Sequence, residues 1–346
     1  MIPERGMDMG KNHIPAGVSA LCSALRGAGH EAYPVGGCVR DLLLGRTPED
    51  WDVCTSALPE EVETLFEKTI PTGVAHGTVT VLLGAEKIEV TTFRREGGYA
   101  DARHPDAVRF DAGLTEDLSR RDFTVNAMAL GPDGAVVDPF GGQADLKIGV
   151  IRCVGAADRR FAEDALRMLR AVRFSAQLDF SIEESTAAAI RTNAPRAAAL
   201  SGERVKAELE KILLSPRPDR IGLLAAAGVL EHLYSGWPAG LDWDSLAAVP
   251  AGRNERWRAF CALTGFPIRA LPVERSLRRA VERPELELLA KLKISGGELC
   301  ALGLRGPEVS AMQRRLAAYI QASPEDNIRE TLLRLAEGWI HERENL

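Results

Sequence analysis

Strand signals stop near residue 155, and that change of character sets the plan of the chain. Before it, short β-rich runs alternate with helical stretches. After it, Ala, Leu, Arg and Glu dominate as far as Leu346. The first part holds an expected strand at Tyr33-Pro34-Val35 that ends in Gly36-Gly37, one or two helical turns over 39–44, and a strand over Trp51–Thr55. Residues 59–68 read as a helix, with proline in the first turn and acids behind it. Residues 78–83 and 87–93 flank Gly84 as a hairpin. Residues 94–108, RREGGYADARHPDAV, are polar, with paired glycines and a proline. They read as a long loop, and long loops in compact domains are often functional. In the second part, breaks at Ser215-Pro216-Arg217-Pro218, Gly236-Trp237-Pro238, Gly265-Phe266-Pro267 and Arg305-Gly306-Pro307 separate helices. The expected architecture is a mixed head followed by an all-helical remainder.

The chain has 346 residues, enough for several compact units. A hydrophobic fraction of 45% with 27% charged residues excludes disorder, collagen-like repeats and a coiled-coil rod. No run approaches the roughly 18 apolar residues needed to span a membrane. The segment MIPERGMDMGKNH lacks the apolar stretch and cleavage pattern of a secretory signal. The six cysteines are scattered without a C-x-x-C pair, which argues against a disulfide framework or a zinc site and for a reducing cytoplasm. The formal net charge of −6 argues at first against nucleic acid. Residues 251–300, however, carry ten Lys/Arg against six Asp/Glu, which fits a local basic surface as well as a solvated mixed one.

Five segments carry chemistry. In Asp50-Trp51-Asp52, residues two apart on a strand would point to one face, and two carboxylates so held suit divalent cations. A pair of such ions activates an attacking hydroxyl and stabilises a leaving phosphate. Taken alone, D-x-D is common and fits a polar loop end equally well. Ten residues upstream lies Gly36-Gly37-Cys38-Val39-Arg40-Asp41. Two glycines between a strand and a helix let backbone N–H groups approach an anion, and Arg40 can clamp phosphate oxygens. Glu89 faces away from Ile88 and Val90 by strand alternation; a third carboxylate there would complete a metal triad or help deprotonate the hydroxyl. In Arg120-Arg121-Asp122-Phe123-Thr124-Val125-Asn126, Arg121 can reach phosphate while Asp122 and Asn126 can hydrogen-bond a ribose.

The fifth segment is 159–174. Phe161, Ala165, Leu169 and Val172 recur at helical spacing as a buried stripe, and Asp164, Arg167, Arg170 and Arg173 follow at steps of three. An Asp–Arg pair can read a base. Cytosine and adenine both offer an exocyclic amine beside a ring-nitrogen acceptor, which a carboxylate and a guanidinium match. Uracil and guanine put a carbonyl where that amine would be, and the carboxylate repels it.

Together these pieces resemble the bacterial class II CCA-adding enzymes, tRNA nucleotidyltransferases of the polymerase-β-like superfamily. The matching stretches are VGGCVRDLLLGRTPEDWDVCTSA, GVAHGTVTV, IEVTTFRREGGYADARHPDAVRF, DLSRRDFTVNAMA, DPFGGQADLKIGVIRCVG, RFAEDALRMLRAVRF and RVKAELEKILL, in the family order over about 33–214. The resemblance implies an α+β fold, with a polymerase-β-like nucleotidyltransferase head over 1–150 and a helical neck over 151–214, body over 215–270 and tail over 271–346. It implies stepwise addition of C, C and A to the 3′ end of tRNA from CTP and ATP. Two Mg2+ ions would be held by Asp50 and Asp52. Gly36, Gly37 and Arg40 would hold the triphosphate, and Arg121, Asp122 and Asn126 phosphate and ribose. Asp164 and Arg167 would read the base, supported by Glu163, Arg170 and Arg173. Residues 94–108 look like the loop that switches C to A addition, and the tail would grip the acceptor and TΨC arms. No membrane or protein partner is implied. Relatives that add only CC lack the long loop, and bacterial poly(A) polymerases differ where this chain has 72–78. A sugar-nucleotide glycosyltransferase is disfavoured by RRDFTVNA and EDALRMLR, and a catalytically dead RNA-binding module by the two aspartates.

Overall fold

The computed structural model describes residues 14–97, 107–234, 236–238 and 240–344. They form two compact units, one ending at Ala248 and the other beginning at Val249.

The first unit opens with α1 (Ala16–Gly27), β1 (Ala32–Pro34), α2 (Gly37–Leu43), β2 (Trp51–Thr55) and α3 (Pro59–Leu65). Three strands follow: β3 (Thr69–Gly73), β4 (Thr78–Leu83) and β5 (Glu86–Thr92). The five strands make one mixed sheet in the order β1-β2-β5-β4-β3. Only β2 and β5 run parallel. Strand alternation divides the sheet into two faces. Val53, Val79, Val81, Ile88 and Val90 are buried on one, where α1 and α3 cover the sheet. The opposite face carries Asp52, paired in register with Glu89, which pairs in turn with Thr80. Asp50 precedes β2 instead of lying in it, because pairing begins at Trp51 opposite Ile88.

The ends of the expected loop, β6 (Arg95–Gly97) and β7 (Ala107–Arg109), form an antiparallel ribbon. Residues 98–106 of that loop lie outside the described residues. Then come α4 (Leu114–Ser119), a hairpin of β8 (Ala129–Leu130) and β9 (Val136–Val137), α5 (Gly142–Ile148) and β10 (Val150–Ile151). Helices α6 (Ala157–Glu163) and α7 (Leu166–Leu178) are separate. The 159–174 stretch is therefore not one helix. Asp164 takes an extended backbone and its carboxylate accepts the Leu166 N–H at 3.0 Å, so it ends one helix and caps the next. The expected stripe of Phe161, Ala165, Leu169 and Val172 is nonetheless buried. A two-residue strand, β11 (Ser181–Ile182), pairs parallel with β10 and is the one described departure from an all-helical second part. Two residues are too few to leave an alternation in the sequence. Four helices complete the unit: α8 (Glu184–Asn193), α9 (Gly202–Leu213), α10 (Gly222–Ala226) and α11 (Val229–Leu233).

The second unit is helical among its described residues: α12 (Arg253–Thr264), α13 (Arg275–Glu282), α14 (Pro284–Lys291), α15 (Gly296–Ala301), α16 (Pro307–Ala322) and α17 (Arg329–Glu344). Trp257 and Phe260 are fully buried, and Ile294, Leu299, Leu304, Leu316, Leu332 and Ala336 form a second core cluster. Gly265 closes α12 in the left-handed region at φ 66°, and Pro307 opens α16, as the Gly/Pro breaks predict. No described helix is long and apolar enough to cross a membrane.

Candidate active site

The turn between β1 and α2 needs glycine. Gly36 has φ 84° and ψ −128°, a conformation closed to residues with a Cβ. A Cβ at Gly36 would also stand 2.8 Å from Nη1 of Arg121. The bare backbone is what lets that guanidinium lie over the turn. Arg121 is tied from behind by Asp117, a fully buried carboxylate that faces Arg121 Nη2 at 3.5 Å and accepts from Arg120 Nε at 2.9 Å. Arg121 Nε is buried without a hydrogen-bond partner, so the group still has donor capacity.

Beside it, Asp52 has its carboxyl pushed up to about 6. Burial is the main cause, Glu89 and Asp50 add to it, and Arg121 opposes it. The carboxylates therefore crowd one another, a situation that a cation relieves. Among the described residues no three carboxylates, imidazoles or thiols are close enough to cage an ion alone. Magnesium takes one or two carboxylates plus substrate phosphates, so Asp50 and Asp52, which share a cleft with the Gly36–Gly37 turn, fit it.

A network ties the turn to α7. Arg40 donates to both Asp41 oxygens and, through Nη1, to Asn126 Oδ1 at 2.7 Å. Asn126 donates to Asp122 Oδ1, which also accepts the Phe123 N–H at 2.9 Å. Asp122 Oδ2 accepts from Arg170 Nε at 2.7 Å. Burial opposes ionisation of Asp122, but Arg170, Arg167 and Asn126 outweigh it and hold the carboxyl below its ordinary range. Phe174 packs beneath three guanidinium groups, with its ring centre 4.1 Å from Arg173, 5.3 Å from Arg40 and 5.5 Å from Arg170.

At the other end, Asp164 and Arg167 do not pair with each other. Asp164 is held by Arg204 of α9, whose Nη2 and Nη1 donate to its two oxygens at 2.7 and 3.2 Å. Arg167 Nη1 donates to Glu163 at 2.7 Å, and Glu163 also takes Arg159 and Arg160.

One cleft of about 900 Å³ gathers most of these groups. Its wall includes Gly36, Gly37, Arg40, Asp50, Asp52, Arg121, Asp122, Asn126, Asp164, Arg167 and Arg170. Three expected residues are not in that wall. Glu89 lies beside Asp52 on the next strand. Glu163 stands behind Arg167. Arg173 turns toward α9, where Nη1 donates to Glu208 at 3.1 Å and burial, with the nearby Arg170, lowers its pKa to about 10. Three residues fall short of a 3.6-residue turn by about 60°, so steps of three walk off the cleft face by the third arginine. Sequence reasoning missed Asp117, Phe174 and Arg204. The spacing of four from Asp117 to Arg121 was a readable signal; the 40-residue separation of Asp164 and Arg204 left none.

The family model described as "Poly A polymerase head domain" matches residues 32–152, and that described as "Probable RNA and SrmB- binding site of polymerase A" matches 179–239. A CCA-adding enzyme of Geobacillus thermodenitrificans is 49% identical over 243 residues, 68% of this chain and 60% of that protein. One from Lactobacillus delbrueckii subsp. bulgaricus is 56% identical over 190 residues, 55% of this chain and 48% of its own. The chain thus spans 60% or less of the length of these curated relatives. The crystal structure of the Bacillus stearothermophilus CCA-adding enzyme in complex with CTP superposes with a TM-score of 0.72 at 34% identity, covering 94% of this chain and 81% of that one.

Proposed function

The chain belongs to the family of CCA-adding enzymes, and on that premise we propose that it adds C, C and A to the 3′ end of tRNA from CTP and ATP, without a template, releasing pyrophosphate. One observation carries this reading: a single cleft joins the Asp50/Asp52 carboxylates, the Gly36–Gly37 turn under Arg121, and the Asp164 and Arg167 side chains. A nucleoside triphosphate in that cleft would set its phosphates and metals against the first two groups and its base against the third.

In this reading Arg121 and Arg40, both in the cleft wall, take the triphosphate oxygens. Asn126 faces the ribose, while Asp122 and Arg170 hold it and Arg40 in place. Asp164 accepts the amine of C or A and Arg167 donates to the ring nitrogen, each steadied by its own partner, Arg204 or Glu163. Asp50 and Asp52 would hold two Mg2+ ions, which supply charge neutralisation and acidify the attacking 3′ hydroxyl. Glu89, next to Asp52, would assist loss of that hydroxyl proton. Residues 1–150 serve as head and 151–214 as neck; 215–270 as body and 271–346 as tail hold the tRNA, with action in the cytoplasm. The 94–108 loop would turn the base pocket from C to A.

The test is incorporation of each labelled nucleotide on tRNA lacking its 3′ end. The expected result is C, C, then A, with UTP and GTP refused, and loss of turnover by orders of magnitude in Asp50→Ala or Asp52→Ala. Extension by A alone would favour a poly(A) polymerase or A-adding enzyme, and wild-type turnover in either variant would overturn the metal assignment.

A further inference from the structure

Asp117 sits between the stem of the 94–108 loop and the cleft. It lies on α4, is fully buried, and its two oxygens face different groups. Oδ1 accepts from Arg120 Nε at 2.9 Å and from the Arg94 N–H at 3.4 Å. Oδ2 faces Arg121 Nη2 at 3.5 Å and is buried with no hydrogen bond. Arg94 directly precedes β6, and Arg121 lies over the Gly36–Gly37 turn in the cleft wall. One carboxylate therefore faces the loop stem with one oxygen and the cleft with the other.

The stem is firmly seated at its base. The Arg94 guanidinium donates to the His76 carbonyl. Phe110, directly after β7, packs where a Cβ on Gly77 would stand, and Gly77 is left-handed at φ 77°. Phe93 and Leu118, the chain neighbours of Arg94 and Asp117, share one apolar cluster with Val35 and Cys54. Close-packed side chains of this kind pass a displacement on instead of absorbing it. As a counter-ion for Arg120 alone, Asp117 would need only Oδ1. A buried carboxylate oxygen without a hydrogen bond is costly. Shortening its 3.5 Å gap to Arg121 to about 2.9 Å would satisfy it. Both oxygens belong to one planar group, so a shift of the Arg94 N–H at Oδ1 turns Oδ2 toward Arg121 or away from it.

We propose that Asp117 is a positioning residue that couples the loop stem to the triphosphate side of the cleft. The proposal rests on reading Arg121 as a triphosphate ligand and adds what sets that guanidinium. Coupling is reciprocal. Phosphate drawn onto Arg121 firms the contact between Asp117 and Arg94, and a displaced stem loosens the grip of Arg121 on phosphate.

The experiment follows amide hydrogen exchange over residues 93–97 of the full chain, with and without saturating inorganic tripolyphosphate, CTP or cytidine. Tripolyphosphate and CTP should slow exchange there by about fivefold or more, the low end of coupling between sites. Cytidine, which has no phosphate, should not. Asp117→Asn should abolish the slowing and weaken CTP by about 10-fold, the worth of one hydrogen bond to a charged group, while cytidine binding stays within about twofold. A structural role alone would lower the melting temperature and weaken CTP and cytidine alike. Should Asp117→Asn not fold, Arg121→Lys keeps a charge opposite Asp117 but not the guanidinium fork, and at saturating tripolyphosphate it should also lose the slowing. Exchange that tripolyphosphate leaves unchanged in the wild type, or slows equally in the variants, overturns the proposal. If the coupling is present yet no nucleotide is added to tRNA, the enzyme reading fails and this one stands. Addition of C, C and A without the coupling leaves the enzyme reading and removes this one.

Discussion

Asp122 is the joint between the Gly36–Gly37 turn and α7, and replacing it with Asn tests how much the first unit depends on that joint. Its side chain is 8% exposed, and its partner Arg170 is 32% exposed with Nη2 2.5 Å away. Removing one partner of a fully buried pair costs about 3–5 kcal/mol. Because a third of Arg170 sees the cleft, the cost here should be smaller, about 2–3 kcal/mol. The loss is not just of attraction. Arg40, Arg170 and Arg173 all crowd Phe174; Asp41 offsets the first and Glu208 the last, and Asp122 is the carboxylate that offsets Arg170. For a unit of this size 1 kcal/mol shifts Tm by about 2–4 °C, so Asp122→Asn should lower the first transition by about 4–12 °C at pH 7.5. The sign with pH is fixed by the depressed carboxyl. Its contribution is fully present above the ordinary carboxylate pKa of about 4 and is lost only as pH falls through the lower folded value. The gap between wild type and variant should thus be flat from pH 5 to 8 and close in stronger acid. Arg170→Gln in the Asn background should recover part of the loss, with a coupling of about 1.5 kcal/mol or more. A gap below 2 °C, or one that closes between pH 5 and 7, would refute the reasoning.

Gly36→Ala should cost about 1–3 kcal/mol in thermal stability from its backbone alone, and should raise KM for CTP and ATP because the new Cβ meets Arg121. Asp164→Ala should relax rejection of UTP and GTP by about 5- to 150-fold, the equivalent of 1–3 kcal/mol per bidentate base contact; unchanged selectivity in steady-state incorporation would leave Asp164 only as a helix cap. Shortening the 94–108 loop should spare C addition and stall A addition, read as CC-ended products on a gel.

What the sequence disclosed divides by the range of the forces involved. The strand Trp51–Thr55 and the hairpin about Gly84 were legible because β-branched alternation and a glycine turn act over a few residues. Strand β3 was not: Thr69-Ile70-Pro71-Thr72-Gly73 carries a proline and a glycine, and it pairs only because β4 presents an edge to it. The same division runs through the site. Asp50, Asp52 and the Gly36–Gly37 turn were found from local spacing, and the cleft wall includes all four. The stripe in 159–174 was read correctly as buried, yet the helix through it breaks at Asp164, since a carboxylate that caps one helix looks like a surface residue of a longer one. Arg204 was invisible for a different reason. On α9 it is one more charged residue, and only the packing of α9 along α7 turns it toward Asp164. The sequence therefore names most groups of the cleft wall, while packing adds partners that hold them: Arg204 for Asp164 and Phe174 for three guanidinium groups at once; Asp117, four residues before Arg121, did leave a local signal. Partners that only hold work across 35 to 50 residues of chain in the cases of Arg204, Glu208 and Asp122, and no pattern of period 2 or 3.6 records a contact at that distance.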